Sequence, residues 1–264
     1  MAVSPEGAPC WADAMFDDIE GAKDFYGAVL GWTFGETSPE SGDYTQAYAD
    51  GRAVAAVVPT VPGQEGSSQW CLYFAARDAA DVAARIRDNG GELLMEPMRV
   101  GDFGTMCLAR DPGGVVFGLW QAGTHEGFGA MAEPGAYCWA EVFTREPEKS
   151  DAFFPAVFSY RSRQLEGGMD FRIYDLGERS VLGRMRMTDD FPPEVPPYIN
   201  VYFTVADCDE AVSRATERGG VLRFGPMDTP FGRFAAISDP QGADFSVIDV
   251  TATTGEMPRT TDVD

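Results

Sequence analysis

The amino-acid sequence predicts an α+β protein built from four βαβββ modules in tandem, two modules in each half of the chain. Two observations predict this architecture. Short motifs of the first half recur in the same order in the second half, and strand-like and helix-like apolar patterns alternate in the order βαβββ within each half. The chain has 264 residues, which is long enough for two domains that each bury a core.

The repeat consists of motifs that lie 128 or 129 residues apart. Cys-Trp-Ala-Asp at residues 10–13 recurs as Cys-Trp-Ala-Glu at 138–141, and Asp-Pro-Gly-Gly at 111–114 recurs as Asp-Pro-Gln-Gly at 239–242. This spacing, together with a Gly-rich stretch in the middle of the chain, predicts the domain limits. We expect a first domain at 1–122, a linker at 123–134, a second domain at 135–250 and a flexible tail at 251–264.

The modules are predicted from the periodicity of apolar residues. Phe25, Tyr26, Val29 and Leu30 lie on one helical face, and Gly31 follows as the stop signal. In the first half we expect helices at 20–30 and 78–89 and strands at 10–16, 32–34, 44–49, 53–58, 70–75, 92–96, 104–110 and 115–120. In the second half we expect helices at 147–157 and 207–218, strands at 137–143 and 198–205, and three strands after each helix.

Charge and composition exclude several classes of function. Lys and Arg number 20 against 42 Asp and Glu, so the net charge of −22 repels nucleic-acid phosphates and anionic lipid headgroups. No apolar run approaches the roughly 20 residues that span a bilayer, and no secretory signal pattern is visible. We therefore expect a cytoplasmic protein that binds neither nucleic acid nor membrane and that is a monomer or a homodimer.

The number and positions of the cysteines and the histidine limit the kinds of metal site and catalytic site that the chain can form. The five cysteines are scattered without a Cys-x-x-Cys pair, as in proteins of a reduced compartment. The single histidine, His125, rules out a His-rich metal site. Its position in the Gly-rich stretch between the two halves predicts a solvated linker residue, although any Ser-His-Asp or Cys-His system would have to use it.

The motifs resemble those of the vicinal oxygen chelate superfamily, which includes glyoxalase I, bleomycin-resistance proteins and extradiol dioxygenases. The resemblance rests on the helix opening Asp18…Phe25-Tyr26…Leu30, on Glu146…Phe153-Phe154…Phe158 in the second half, and on the two Asp-Pro-x-Gly turns. It extends over about residues 8–250. It implies two fused domains, each a curled mixed sheet that forms a cupped pocket.

The metal site that the resemblance implies can be compared with this chain position by position. In the first half its ligand positions correspond to Trp11, Cys71 and Gly118, and in the second half to Trp139, Asn200 and Ser246. The fourth strand of each half carries no acid at the remaining position. Divalent metals in this kind of site need His, Gln or carboxylate ligands. We therefore expect neither a metal ion nor another cofactor, which disfavours isomerase and dioxygenase chemistry.

Strand alternation predicts which side chains would line the two pockets. The expected ligand-binding residues are Trp11, Tyr73, Met106, Leu108, Trp120, Trp139, Phe143, Asn200, Tyr202 and Phe234. Such a lining suits a flat, largely apolar ligand that is held by stacking and oriented by a few polar groups. The alternative is that these side chains fill the core and leave no pocket.

Two acids occupy equivalent places in the two halves and are the candidate catalytic residues. Asp13 and Glu141 lie among aromatic residues, where a carboxyl group has a raised pKa and acts as a general acid or base. The alternative is that each pairs with an arginine or points to the seam between the halves. The arginines at 161, 163, 172, 184 and 186 either meet an anionic ligand or balance the acidic surface. The Pro-rich loop at 192–197 either rims a pocket or joins two strands.

Three functional hypotheses are compatible with these features. The first is metal-independent binding of a hydrophobic aromatic small molecule, for drug sequestration and resistance or for natural-product metabolism. The second is a metal-independent tailoring enzyme that uses Asp13 or Glu141 in proton transfer on a polyketide-like aromatic substrate. The third is a metal-dependent glyoxalase or dioxygenase, against which the ligand positions argue.

Overall fold

The computed structural model describes residues 4–37, 42–61, 63, 66 and 68–263. Its described residues form two mixed sheets and four helices, which confirms the α+β class and the βαβββ order. The first half contains β1 (Pro9–Phe16), α1 (Ile19–Leu30), β2 (Thr33–Phe34), β3 (Thr45–Ala49), β4 (Arg52–Pro59), β5 (Trp70–Ala75), α2 (Ala79–Asp88), β6 (Glu92–Val100), β7 (Gly104–Arg110) and β8 (Val116–Ala122). The second half contains β9 (Tyr137–Thr144), α3 (Pro147–Phe158), β10 (Arg161–Leu165), β11 (Phe171–Leu176), β12 (Arg179–Arg186), β13 (Tyr198–Thr204), α4 (Cys208–Glu217), β14 (Val221–Thr229), β15 (Gly232–Ser238), β16 (Asp244–Asp249) and β17 (Thr260–Val263).

Each sheet joins two modules side by side through their first strands. The first sheet has the order β2-β3-β4-β1-β5-β8-β7-β6, and the second has the order β14-β15-β16-β13-β9-β12-β11-β10-β17. Within a module the first and last strands are parallel, as β1 and β4 are, whereas the two modules meet through antiparallel β1 and β5. Strands β9 and β13 make the equivalent junction in the second sheet. The first strand of every module therefore lies near the middle of its sheet.

The helices begin and end where the sequence signals indicate. Asp18, Asp78 and Asp207 each accept a hydrogen bond from a backbone N–H of the first helical turn, which satisfies donors that the helix leaves free. Gly31 adopts φ 72°, the left-handed conformation that ends α1. Among the described residues, no helix has the length and apolar character that crossing a membrane requires.

The expectation of a loose tail is wrong for its last residues. Thr260–Val263 form β17, which pairs antiparallel with β10, and Arg163 donates a hydrogen bond of 2.9 Å to Thr260 Oγ1. Without β17, β10 would present a row of unpaired backbone groups at the edge of the sheet, so pairing satisfies them. The polar composition of the tail did not predict this strand, because the pairing uses backbone groups and needs no apolar side chain.

The two sheets pack against each other through their inner faces and the helices. Phe74 contacts Phe154 and Phe158 with ring centroids 6.2 and 5.1 Å apart, and Trp70 contacts Phe203 at 5.2 Å. Glycines allow two of the closest approaches. A Cβ at Gly91 would lie 2.8 Å from the Phe153 ring, and one at Gly220 would lie 2.9 Å from the Phe25 ring. The packing between the domains is thus approximately twofold symmetric. In each half, an aromatic ring from a helix of one domain packs on a glycine of the other domain.

Tyr26 connects three modules inside this interface. Its side chain is fully buried on α1, and its hydroxyl accepts a hydrogen bond of 3.0 Å from Trp70 Nε1 on β5. The same hydroxyl donates a hydrogen bond of 2.9 Å to Asp239 Oδ2, in the Asp-Pro-x-Gly turn of the last module. Asp239 also accepts backbone hydrogen bonds within that turn. One hydroxyl therefore satisfies a buried donor and a buried acceptor that come from different parts of the chain.

We predict that Tyr26→Phe lowers the free energy of unfolding by about 2 kcal/mol, because it leaves the indole N–H of Trp70 and one oxygen of Asp239 buried without this partner. Urea denaturation followed by circular dichroism measures the change. The matched control is Tyr48→Phe, since Tyr48 is half-buried and its hydroxyl donates to the side chain of Gln46, two residues away on the same strand. Equal losses in the two variants would contradict the prediction.

Candidate functional site

Each sheet has an outer face, which points away from the other sheet. We call the face that carries Trp11, Asp13 and Tyr73 the first outer face, and the face that carries Trp139 and Glu141 the second outer face. All the residues predicted to line a pocket lie on one of these faces: Trp11, Asp13, Tyr73, Met106, Leu108 and Trp120 on the first, and Trp139, Glu141, Phe143, Asn200, Tyr202 and Phe234 on the second.

The strand register brings each set together. On the first outer face Trp11 lies opposite Tyr73, and Met106 lies opposite Trp120. On the second outer face Trp139 lies opposite Tyr202. Side chains that are cross-strand partners share a face and contact each other, so the two sets are continuous patches.

Asp13 lies on the first outer face next to two tyrosines. The Tyr44 hydroxyl donates to Asp13 Oδ2 at 3.5 Å, and Trp11 Nε1 donates to the same hydroxyl at 2.6 Å. Burial raises the pKa of Asp13 to about 7, against the lowering effect of hydrogen bonds from Tyr73 and Tyr44. No Lys or Arg side chain forms an ion pair with Asp13 in the described parts of the chain. Pairing with arginine, the alternative considered for this acid, is therefore not found.

Glu141 has the equivalent position on the second outer face. The Tyr202 hydroxyl donates to its Oε2 at 2.9 Å, and Trp139 Nε1 donates to its Oε1 at 3.2 Å. Burial raises the pKa of Glu141 above its ordinary value, although both hydrogen bonds act in the opposite direction. Beside it, the Asn200 amide donates to Ser246 Oγ at 2.8 Å. Like Asp13, Glu141 faces away from the seam between the halves.

The donor atoms at the positions where the resemblance implies a metal do not fit a metal ion. A Cβ at Gly118 would lie 2.1 Å from the Tyr73 ring, so that ring fills the space a ligand side chain would need. On the second outer face, Asn200 and Ser246 are bonded to each other. Within the described residues, no three or more His, Cys, Asp or Glu side chains group in a way that could hold a metal ion. These atoms offer no set of oxygen, nitrogen or thiolate ligands at either position.

His125 is not the solvated linker residue that the sequence predicts. Its ring meets the Trp11 ring edge-on, with centroids 4.4 Å apart, and its backbone carbonyl accepts a hydrogen bond of 2.8 Å from Trp120 Nε1. Its Nε2 atom is buried without a hydrogen-bond partner among the residues that the structure describes, and burial lowers the pKa of the imidazole. Phe128 follows on the same side of Trp11, at 5.6 Å. The segment reaches Trp11 because the chain turns back after β8, and no local sequence pattern predicts that turn.

Several neighbours of the two acids were not predicted. Tyr44, the hydrogen-bond partner of Asp13, directly precedes β3, and extending the alternation of that strand by one residue could have identified it. On the second outer face Phe171 lies beside Glu141, since a Cβ at Gly183 would meet both side chains. Tyr198 stacks on Phe143 with ring centroids 5.0 Å apart. These contacts join strands that are remote in sequence.

The Pro-rich loop and the arginines show specific structural roles. Arg145 donates to the carbonyls of Pro192 and Val195, which holds the loop next to the Phe143 side of the second outer face. Arg184 is 1% exposed and pairs with Asp151 and Asp170. The same acids and their neighbours pair with other members of the cluster: Arg163 with Asp175, Arg172 with Asp151, and Arg186 with Asp170 and Glu148. These arginines therefore meet protein carboxylates.

A surface depression of about 290 Å³ lies at the junction of the two halves and is distinct from both outer faces. It is lined by Asp18, Gly21, Asp24, Phe25, Arg218, Pro240 and Gln241. Gln241 and Asp18 exchange two hydrogen bonds of 2.8 Å there, which tie the last Asp-Pro-x-Gly turn to the start of α1. The depression is thus part of the interface between the domains.

Comparison with known proteins places the chain in a family. The family model of the Glyoxalase/Bleomycin resistance protein/Dioxygenase superfamily matches residues 11–119. The "Putative glyoxylase CFP32" of Mycobacterium tuberculosis is 36% identical over 250 residues, covering 92% of this chain and 95% of that protein. The "Anthracycline biosynthesis protein DnrV" of Streptomyces peucetius is 35% identical over 260 residues, covering 92% of this chain and 94% of that protein.

Solved structures agree on the fold. The 2,3-dioxygenase LapB from Pseudomonas sp. KL28 matches with a TM-score of 0.67 at 12% identity, covering 97% of this chain and 95% of that one. A Mn(II)-bound glyoxalase from Novosphingobium aromaticivorans matches with a TM-score of 0.64 at 15% identity, covering 95% of this chain and 86% of that one. Identities this low establish similarity of fold alone.

We predict that Asp13→Asn stabilises the protein at pH 8 by about 2 kcal/mol and has little effect at pH 4. The folded-state pKa of about 7 lies above the ordinary value of 3.8, so the folded protein holds an extra proton between these values. Its stability therefore falls as pH rises through that window, and asparagine removes the loss. The magnitude is about half of what the full shift implies, since the side chain is partly exposed.

Urea denaturation of both proteins at the two pH values measures the difference. The control is Asp50→Asn, which changes an exposed acid in the turn between β3 and β4. A stabilisation by Asp13→Asn that is the same at pH 4 and pH 8 would show that the carboxyl of Asp13 is not the group that titrates.

Proposed function

Because this chain belongs to the glyoxalase, bleomycin-resistance protein and dioxygenase superfamily, we propose that it binds a hydrophobic aromatic small molecule without the help of a metal ion. The observation that carries the proposal is the composition of the outer faces. On each face a carboxyl group, Asp13 or Glu141, accepts a hydrogen bond from a tyrosine hydroxyl, at a place where the family's metal chemistry would need further ligands. Aromatic rings and one or two polar groups are the usual lining of a site for a flat apolar ligand.

In this proposal, the chain's own residues perform separate tasks. Trp139, Phe143 and Tyr202 offer ring surface for stacking, and Phe234 extends it at a centroid distance of 6.1 Å from Tyr202. Glu141 accepts a hydrogen bond from the ligand and thereby orients it. Arg145 fixes the Pro-rich loop beside this surface through two backbone carbonyls. Removal of apolar ring area from water supplies the main driving force for binding.

The relatives support an aromatic ligand and the setting in which it would occur. DnrV is named for anthracycline biosynthesis, and anthracyclines are polycyclic aromatic compounds. We infer that this chain acts in the sequestration of such a compound, as in drug resistance, or in natural-product metabolism. Its site is an acid among aromatic rings, and this favours an uncharged or hydrogen-bond-donating ligand over an anionic one.

A second candidate function is that of a metal-independent tailoring enzyme on a similar substrate. The observation that favours it is the pKa of Asp13, which burial raises to about 7, so both of its protonation states are populated near neutral pH. Asp13 would then give or take a proton as a general acid or base, and Glu141, whose pKa is also raised by burial, would do so on the second outer face. A metal-dependent glyoxalase or dioxygenase is the least favoured function, because the donor atoms do not fit a metal.

We predict that planar aromatic compounds quench the tryptophan fluorescence of the metal-stripped protein saturably. Anthracyclines, naphthoquinones and flavonoids form the panel, and mass spectrometry of the recovered compound distinguishes the two functions. An unchanged compound supports binding, and a changed compound supports the tailoring enzyme. If no compound in the panel binds, aromatic ligand binding is contradicted.

Metal removal provides an independent check. We expect dialysis against a chelator to leave both the melting temperature and aromatic binding unchanged, because no ligand set on either outer face, within the described residues, holds an ion whose loss would destabilise the fold. Elemental analysis should find less than stoichiometric metal in the untreated protein. Stoichiometric metal whose removal abolishes binding or lowers the melting temperature would favour the metal-dependent function instead.

A further inference from the structure

The two outer faces differ in the path that the chain takes after the last strand of each domain. After β8 the chain turns back over the first outer face, where Trp120 Nε1 bonds the His125 carbonyl and the Phe128 amide donates to the Cys10 carbonyl at 2.7 Å. The rings of His125 and Phe128 then cover Trp11, which is left 3% exposed. On this face, the indole at the first repeat position is therefore packed as core.

The equivalent segment of the second domain takes a different route. After β16, the Thr254 amide donates to the Thr229 carbonyl at the end of β14 at 2.9 Å, Thr253–Glu256 are exposed, and the chain continues to the far edge of the sheet, where β17 pairs with β10. Trp139, the repeat equivalent of Trp11, consequently remains partly exposed. The same strand position is thus covered in the first domain and accessible in the second.

The accessible face carries a continuous path of rings that leads to Glu141. Phe224 on the edge strand β14 is 52% exposed, and its ring lies 5.8 Å from that of Phe234. Phe234 contacts Tyr202, whose hydroxyl donates to Glu141. An exposed aromatic residue at a sheet edge, continuous with a half-buried row of rings, is the kind of apolar patch that marks a binding site.

The polar groups around Glu141, at the end of this path, leave hydrogen-bond acceptor positions free. A carboxylate has about four lone-pair directions, and protein donors occupy two on Glu141, those of Tyr202 and Trp139. No arginine or lysine pairs with Glu141 among the described residues, and Arg223 on the same sheet reaches Ser238 instead. Asp244 lies nearby: burial raises the pKa of Tyr198, and the charges of Asp244 and Glu141 add to that effect. Asp244 is linked to Arg223 through the Ser238 hydroxyl, whereas the free acceptor directions of Glu141 can take a hydrogen-bond donor from a ligand.

We propose that the second outer face is the ligand site of this protein, and that its ligand is an aromatic molecule that presents a hydrogen-bond donor, an amine or a hydroxyl, to Glu141. An aromatic carboxylate is disfavoured, because its charge would face that of Glu141, with which no arginine or lysine pairs among the described residues. The first outer face, closed over Trp11, keeps its aromatic residues as core. This inference rests on the proposed function and specifies its site and its ligand class.

Three size-matched probes test the ligand class on the full-length protein: naphthylmethylamine, naphthylmethanol and naphthoate. By isothermal titration calorimetry we expect the amine and the alcohol to bind and naphthoate to bind at least about tenfold more weakly. Glu141→Gln should weaken amine binding by about tenfold and reduce the discrimination against naphthoate. The matched control is Glu178→Gln, which removes the same charge from an exposed position on the loop before β12 and should change neither value.

The NMR signals of the indole N–H groups in ¹⁵N-labelled protein locate the site, and the protein that is observed carries no substitution. Amine binding should shift the signal of Trp139, whose N–H bonds Glu141, and leave that of Trp11, whose N–H bonds Tyr44, in place. Trp139→Phe assigns the signal. This measurement remains decisive if Glu141→Gln fails to fold.

The outcomes separate this inference from the proposed function. Naphthoate binding as tightly as the amine would overturn the ligand class, and a shift of the Trp11 signal instead of the Trp139 signal would overturn the choice of face. In both cases aromatic binding itself would stand. Failure of all three probes and of the larger aromatic panel would instead contradict the proposed function.

Discussion

The burial of one aromatic layer between the two sheets is the constraint on which the other features of this protein depend. Rings from both domains meet in it, and the Tyr26 hydroxyl joins Trp70 to Asp239 across three modules. This layer uses the inner side chains of the central strands, so alternation along each strand sends every second side chain to an outer face. The positions of Asp13 and Glu141 are a direct consequence, because their neighbours along the strand, two alanines for Asp13 and an alanine and a valine for Glu141, are buried on the inner side.

The same constraint determines the electrostatics of the outer faces. Four arginines of β10, β11 and β12 are engaged by Asp151, Asp170 and Asp175, and no arginine pairs with Glu141 in the described structure. Burial among rings then raises the pKa values of both acids, while tyrosine donors, together with Trp139 at Glu141, keep them in place. In the function we propose, such a site would discriminate by hydrogen-bond polarity and ring shape, without the ligands that a metal ion requires.

Much of the fold could be predicted because its signals are local. The helix caps at Asp18 and Asp78, the stop at Gly31 and the period-two alternation of β1 and β9 depend on residues within a few positions of each other. The site was predictable to the extent that it obeys alternation, which placed Trp139, Glu141 and Tyr202 on one face. Phe171 and Tyr198 were missed, since they lie on strands whose register beside Glu141 and Phe143 only the folded sheet defines.

The sequence by itself determined the four modules, the duplication and the side of the sheet on which each candidate residue lies, because these depend on periodicity along a single strand or helix. Only the tertiary structure decided that His125 covers Trp11, that Trp139 stays accessible and that the polar tail pairs with β10. The physical reason is that these contacts depend on the route of the chain after the last strand of each domain. That route is chosen by long-range packing and by backbone groups that need partners, and neither leaves a pattern in neighbouring residues.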